Sequence, residues 1–475
     1  MSQFYDYIIV GSGASGGAMA YYLTKAGAKV LMLEAGKRYG AKTFSPNEMI
    51  SNANLMWSGG TDLTTDAATV LLRGKVVGGG TIINQCLLDR FDDVALDDWK
   101  ADSDIAFFSS EEMKKHYDEV ESHLGLYHLQ RADWNRNAEI YVDGFKKLGL
   151  EWSPLRRGQN NCGKGNDCMV CLGGCPRDSK QSTLVTFIPK AEKQGLELIS
   201  EFNVAEVIHG KGFVTVTGKH RNEVKNFYAK KCILSAGALG TTQLLLKSQL
   251  DKKLPALGKN FHCHPQFMNI GFYKDIVDSH KGSFQSVKSS DPRFREWGFK
   301  LENVFAGPIA ASLLKPGYGF DHQNYMARYR NMACIEVAVR DQDPGQIRIN
   351  NSGRLVVTKN LSDADRQRAD KGNSLVKDLF HATGAYEVVS SPLQIGLHLM
   401  GGARMGQNEN SSVVNEAFKV HDMDNLYVAD SALFPNAPGI NPMLTILALS
   451  QRAAQSILAE AGQKEAASKT RRITA

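Results

Sequence analysis

The chain has 475 residues, 43% of them hydrophobic, with 56 basic against 50 acidic side chains and a net charge of +6. That length exceeds one ordinary domain, so two domains or one elaborated domain is expected. The small charge excess excludes the strongly basic surface of a nucleic-acid binder, and no apolar run approaches the length of a membrane span.

The opening "MSQFYDYIIV" enters a strand by Tyr5 with no basic n-region or apolar leader, which points to the cytoplasm. Residues 5–10 are apolar and β-branched and read as a buried strand. Gly11, Gly13 and Gly16 then form G-x-G-x-x-G, with Ser12 and Ala14 inside the turn. Residues 18–25 read as a helix and "KVLMLE" as a second strand ending in Glu34. Each type has a physical reason: Gly11 permits the tight turn, Gly13 lets a pyrophosphate approach the backbone, and Gly16 lets helix and strand pack closely. The helix N-terminus offers free N–H groups to phosphate oxygens. Glu34 would bind ribose hydroxyls. Strand, helix, strand and acid together predict a dinucleotide, without separating NAD from FAD.

The stretch "LLRGKVVGGGTIINQ", residues 71–85, sets Arg73, Val77, Gly79, Gly80 and Asn84 around backbone that can press against a flat ligand. Ser109 and Glu112 make a capping box before a helix, and "RNAEIYVDGFKKLGL" is another helix. Cys162, Cys168, Cys171 and Cys175 follow with the spacing C-x5-C-x2-C-x3-C-P. Four thiolates so close could wrap an iron–sulfur cluster or a zinc ion, or remain thiols or a disulfide; spacing does not decide. Cys86, Cys232, Cys263 and Cys334 stand in apolar settings and read as buried hydrophobes.

"LELISEFNVAEVIH" reads as two strands, with Val204 in the second, and "KKCILSAGALGTTQLLLKS" as strand, turn and helix, with Ala236 and Gly237 in the turn. His262 and His264, in "NFHCHPQ", are too few for a metal site and read as structural or pocket-lining. Residues 263–395 contain a hairpin, a strand across 324–341 and a long helix, which suggests an antiparallel sheet with a helical back. In "GLHLMGGARMG", residues 396–406, His398 stands alone before Gly401 and Gly402. "NLYVAD" is a strand ending in Asp430, and a Pro-rich turn carrying Asn441 and Pro442 leads to a helix over residues 443–458 that begins at Met443. Residues 463–475 read as a flexible, solvated tail.

The 71–85 segment resembles the R-G-K-x-x-G-G-[SG]-[ST]-x-x-N segment of the glucose–methanol–choline (GMC) oxidoreductases. The 235–245 turn, the H-x-x-G-[GT]-x-x-M stretch at His398 and the closing N-P-x-x-T stretch at Asn441 resemble the same family in the same order. The resemblance implies FAD, held by Gly11, Ser12, Gly13, Ala14, Gly16, Glu34, Arg73, Val77, Gly79, Gly80, Asn84, Val204, Ala236, Gly237, Asp430, Asn441, Pro442 and Met443. It implies a discontinuous α/β Rossmann-like FAD-binding domain, residues 1–262 and 396–462, and an α+β substrate domain with an antiparallel sheet, residues 263–395. His398 is the expected base, an imidazole with an ordinary pKa of about 6.5, kept accessible by the glycines beside it. Asn441 is expected to hold the substrate hydroxyl. The implied reaction moves a hydride from an alcohol carbon to flavin N5, with dioxygen, a quinone or a cytochrome as final acceptor. Some family members carry an iron–sulfur cluster on a similar cysteine segment. A sugar dehydrogenase subunit, carried to the periplasm by a small partner subunit, is therefore one alternative. A steroid or fatty-alcohol oxidase, a non-redox flavin-bound lyase and a non-catalytic flavin binder are the others.

Overall fold

The computed structural model describes residues 3–160, 162 and 171–473, with side chains followed to 462. Two sheets organise it. The first has seven strands, in the spatial order Glu197–Ile199, Val30–Leu33, Phe4–Val10, Glu223–Leu234, Val214–His220 and Phe202–His209, with Leu426–Val428 also paired to Glu223–Leu234. Its centre is parallel, whereas Val214–His220 and Phe202–His209 run antiparallel to their neighbours. Every residue of Val30–Leu33 is buried, which is why this strand is uniformly apolar instead of alternating. The helices Ala14–Lys25 and Met443–Ile473 pack on each other and share one core with this sheet. Chain segments more than 400 residues apart thus complete one nucleotide-type layer.

The second sheet has eight strands, ordered Asp62–Leu63, Thr69–Leu71, Glu387–Gly401, Phe261–Phe272, Met332–Val339, Phe299–Asn303, Val287–Ser289 and Trp152–Pro154. All neighbours are antiparallel except Thr69–Leu71 beside Glu387–Gly401. Helices Arg136–Lys147 and Asp363–Ala382 cover one face. The second starts where the Ser362 hydroxyl accepts the Asp365 N–H at 3.1 Å. Strand periodicity divides the residues. Phe299, Leu301, Ile335, Val337 and Val339 pack under the helices with Tyr141, Phe145 and Phe380. Their sequence neighbours Lys300, Glu302 and Glu336 point to the opposite face.

Three expectations need correcting. The boundaries at 262/263 and 395/396 fall inside strands Phe261–Phe272 and Glu387–Gly401, and the second sheet also recruits strands from residues 62–71 and 152–154. The helix beginning at Met443 continues to Ile473, so the backbone of most of the expected tail is helical. The strand expected across 324–341 is Met332–Val339, because residues up to Ala327 belong to the helix Gly319–Ala327.

Candidate active site

The glycine turns meet one another. A Cβ on Gly16 would stand 1.9 Å from the Gly11 carbonyl oxygen, and one on Gly79 would stand 2.8 Å from the Gly13 Cα. Only glycine allows these approaches, so the 71–85 loop is seated directly on the fingerprint turn. Ser12 fastens the junction: its Oγ accepts the Gly78 N–H at 2.9 Å and donates to Glu34 Oε2 at 2.6 Å. Gly13 caps the helix Ala14–Lys25 with no side-chain acceptor and no acid in the first turn, so that helix end suits an anion.

Glu34 is more occupied than the sequence suggests. It also accepts the Ser12 N–H at 3.0 Å and the Gly36 N–H at 2.7 Å, while burial pushes its carboxyl upward. Asp430 ties the 235–245 turn to the C-terminal segment. It accepts Gly237 N–H at 2.8 Å, Thr241 Oγ at 2.6 Å and Ala432 N–H at 2.8 Å, and burial raises it to about 6. Ala236 caps the helix Gly237–Lys247, and Val77 is buried while Val204 is only partly covered. The Asn84 amide lies 3.1 Å from Met443 Sδ, which joins the glycine loop to the start of the C-terminal helix beside Pro442. Arg73 is placed differently: its Nε donates to Asp62 at 2.6 Å and its guanidinium lies over the Trp57 ring.

His398 sits at an irregularity in the second sheet, where the register of Phe261–Phe272 against Glu387–Gly401 shifts between His262 and His264. Its φ is +56°, a left-handed conformation that a non-glycine residue holds only when its surroundings impose it. The ring is half-buried by surface yet enclosed by protein at longer range, and desolvation together with the Lys300 charge lowers it to about 3. The ordinary imidazole value expected from sequence is therefore corrected. So is the role of the glycines: a Cβ on Gly401 would stand 1.9 Å from the Asn260 carbonyl oxygen, and one on Gly402 2.4 Å from Thr242 Oγ. They let the strand end pack tightly; they do not hold a pocket open.

His264 Nδ1 lies 2.9 Å from His398 Nδ1, and the Gly439 N–H donates to His264 Nε2 at 3.0 Å. A neutral imidazole carries one proton. With Nε2 accepting, His264 must carry its proton on Nδ1 and donate it to His398, whose own proton then lies on Nε2. A lone pair at His398 Nε2 requires the other tautomer of both rings, with protons on His398 Nδ1 and His264 Nε2, and the Gly439 N–H then loses its acceptor. Burial, with the His398 and Lys300 charges behind it, holds His264 well below the usual histidine range. The other histidine, His262, faces Asp341 at 3.2 Å, and Asp341 also takes Lys359 Nζ at 2.6 Å in a fully buried structural cluster.

Asn441, two residues beyond Gly439, is buried. Its Oδ1 accepts from Lys300 Nζ, and the same ammonium donates to Glu302 at 2.6 Å. Holding Oδ1 turns the two amide hydrogens of Asn441 the other way. Lys300 and Glu302 were missed as site residues, their only sequence signal being charge at alternate positions of an otherwise apolar strand, whereas His264, read as structural or pocket-lining, stands against His398.

Of the cysteine segment, Cys168 lies outside the described residues. Among the described residues, no three His, Cys, Asp or Glu side chains are placed to hold a metal ion. Cys171 and Cys175 form no disulfide among the described residues. The segment is fastened to the glycine loop by Lys180, a buried ammonium that donates to Ile82 O, to Asn84 O at 2.8 Å and to Cys171 O at 2.7 Å.

A family model described as GMC oxidoreductase matches residues 5–266, and a second of the same description matches residues 341–450. The chain belongs to the GMC oxidoreductase family. A GMC-type oxidoreductase of Sinorhizobium fredii, itself called uncharacterized, is 27% identical over 98% of this chain and 97% of that protein. A long-chain-alcohol oxidase of Arabidopsis thaliana is 29% identical over 93% of this chain and 65% of that protein. Among solved structures, pyridoxine 4-oxidase from Mesorbium loti superposes with a TM-score of 0.74 at 15% identity, over 95% of this chain and 98% of that one, a likeness of fold. This GMC oxidoreductase is an enzyme and a flavoprotein, and its residues fit FAD. The uncapped helix at Gly13 faces the glycine loop, and beside Gly80 and Gly237 the space where a Cβ would stand is open. Among the described residues no helix is long and apolar enough to cross a membrane.

Proposed function

We propose that this GMC oxidoreductase oxidises the CH–OH group of an alcohol to a carbonyl, with His398 and Asn441 at the alcohol oxygen. The observation that carries the reading is the linkage of these two side chains, through Gly439 and His264 on one side and through Lys300 on the other, at the start of the C-terminal helix. The alcohol carbon gives up a hydride and its oxygen a proton; FAD, when bound, supplies the two-electron acceptor. Asn441 Nδ2 donates to the oxygen and aligns the C–H bond, positioning that supplies several kcal/mol of a barrier of this kind. His398 meets the oxygen at Nε2. It takes the proton only in the tautomer that has its own proton on Nδ1 and that of His264 on Nε2, in which the Gly439 N–H has no acceptor, so His264 sets the protonation state in which His398 acts.

The relative named as a long-chain-alcohol oxidase supports dioxygen as the final acceptor. A cluster-linked dehydrogenase would instead show a broad visible shoulder that bleaches with the flavin. The test is anaerobic reduction of the purified holoenzyme by a panel of alcohols, compared with His398→Ala. The variant keeps its flavin and is reduced about 10²–10⁴-fold more slowly. Unchanged single-turnover reduction in that variant would remove His398 from the chemistry. No bleaching by any alcohol would favour the lyase.

A further inference from the structure

The sheet face that carries His264 is polar where it adjoins the catalytic pair. From Asn441 the hydrogen bonds run without a break: Lys300 to Glu302, Gln285 Nε2 to Glu302 at 3.0 Å and to Glu336 at 3.4 Å, and Gln266 Nε2 to Glu336 at 3.4 Å. Arg157 extends the floor, donating to the Gln285 carbonyl and, at 3.2 Å, to Gln85 Oε1. Gln266 is 2% exposed and Gln85 7%. Each has one amide atom with no partner among the described residues: Gln266 Oε1, an acceptor, and Gln85 Nε2, a donor. Buried amide atoms left unmet are costly, so two on one hydrogen-bonded network point to a ligand that meets them.

Charge narrows the class. The one ammonium, Lys300, is already matched by Glu302, while Arg157 is a buried guanidinium bonded to Ser283, Gln285 and Gln85. Burial and the Glu302 charge push Glu336 far above the carboxylate range. An ammonium ligand would sit beside Lys300 and Arg157 and be repelled. A hydroxyl both donates and accepts, which answers one orphan acceptor and one orphan donor. The apolar continuation of the face, Met268, Ile270, Phe272 and Cys334, is already covered by Leu314 and Tyr325.

We propose that the substrate is a polyhydroxylated alcohol, held by Gln266 and Gln85 at hydroxyls beyond the reacting carbon, and not a long-chain alcohol. The inference rests on the alcohol-oxidation reading and sharpens it.

The experiment is anaerobic stopped-flow flavin reduction of the holoenzyme with ribitol, sorbitol, their deoxy analogues and 1-octanol. The best polyol exceeds 1-octanol in kcat/KM by about 100-fold or more, and the deoxy analogue that lacks the recognised hydroxyl loses about 10–100-fold. In Gln266→Leu the polyol and that deoxy analogue converge, chiefly through KM. The deoxy series on the unaltered enzyme decides the matter if that variant does not fold. A kcat/KM for 1-octanol equal to or above every polyol overturns the inference and leaves alcohol oxidation standing. Flavin bleached by dithionite but by no alcohol of either class overturns the alcohol-oxidation reading itself.

Discussion

Replacing Lys300 with methionine keeps most of the apolar stem and removes only the ammonium, so it isolates the tether on Asn441. That ammonium makes two charge-assisted hydrogen bonds, to Asn441 Oδ1 and to Glu302. Bonds to charged groups contribute about 1.5–3 kcal/mol each. If the orientation of Asn441 in the transition state depends on one of them, flavin reduction slows by about 10- to 150-fold. Stability falls as well. The Glu302 side chain is 0% exposed and keeps Gln285 and the carboxyl of Glu336, and a buried charge stripped of its cation costs about 3–5 kcal/mol. Stopped-flow reduction and thermal unfolding of the holo variant measure both effects. A Lys300→Met enzyme that folds, binds flavin and is reduced at the parent rate would refute the tether.

Other expectations follow from the same geometry. Gly16→Ala places a Cβ against the Gly11 carbonyl oxygen, so the purified variant should lose most of its flavin, read as the ratio of visible to protein absorbance. His398, lowered to about 3, stays neutral throughout the working range; kcat/KM should show no acid inflection near its ordinary value, and a clear one near pH 6.5 would contradict the burial argument. Its lowered pKa also means that stability is lost as pH falls below about 6.5. Glu336 is raised by burial and by Glu302, so its contribution to stability declines as pH rises above the unfolded carboxyl value. Glu336→Gln should flatten the decline of thermal midpoint between pH 5 and pH 9, and an unchanged slope would place that proton elsewhere.

Local chemistry was legible wherever one segment carries its own reason. Gly11, Gly13 and Gly16 announce a phosphate turn because no other residue fits those approaches, and Ser109 with Glu112 announces a helix start. Strand, helix and strand around the fingerprint were equally plain, as was the hairpin Gln346–Ile349 with Leu355–Thr358. Domain limits were less so, because a change of composition marks where pattern weakens and not where a strand ends.

The candidate site divides along the same line. His398 and Asn441 stand out in their own segments, but His264, Lys300 and Glu302 acquire meaning only from strand pairing. His264 meets His398 because two strands from positions far apart in the chain shift register at one point. Lys300 reaches Asn441 because alternation turns it away from Phe299 and Leu301. Sequence alone determined the cofactor turn, since that rests on short-range spacing and backbone sterics, and the resemblance of four short motifs gave the family and the expected catalytic pair. Tertiary structure decided the proton placement on His398, its lowered basicity and the polar floor beside it, since burial and charge at a point are sums over side chains that the sequence scatters.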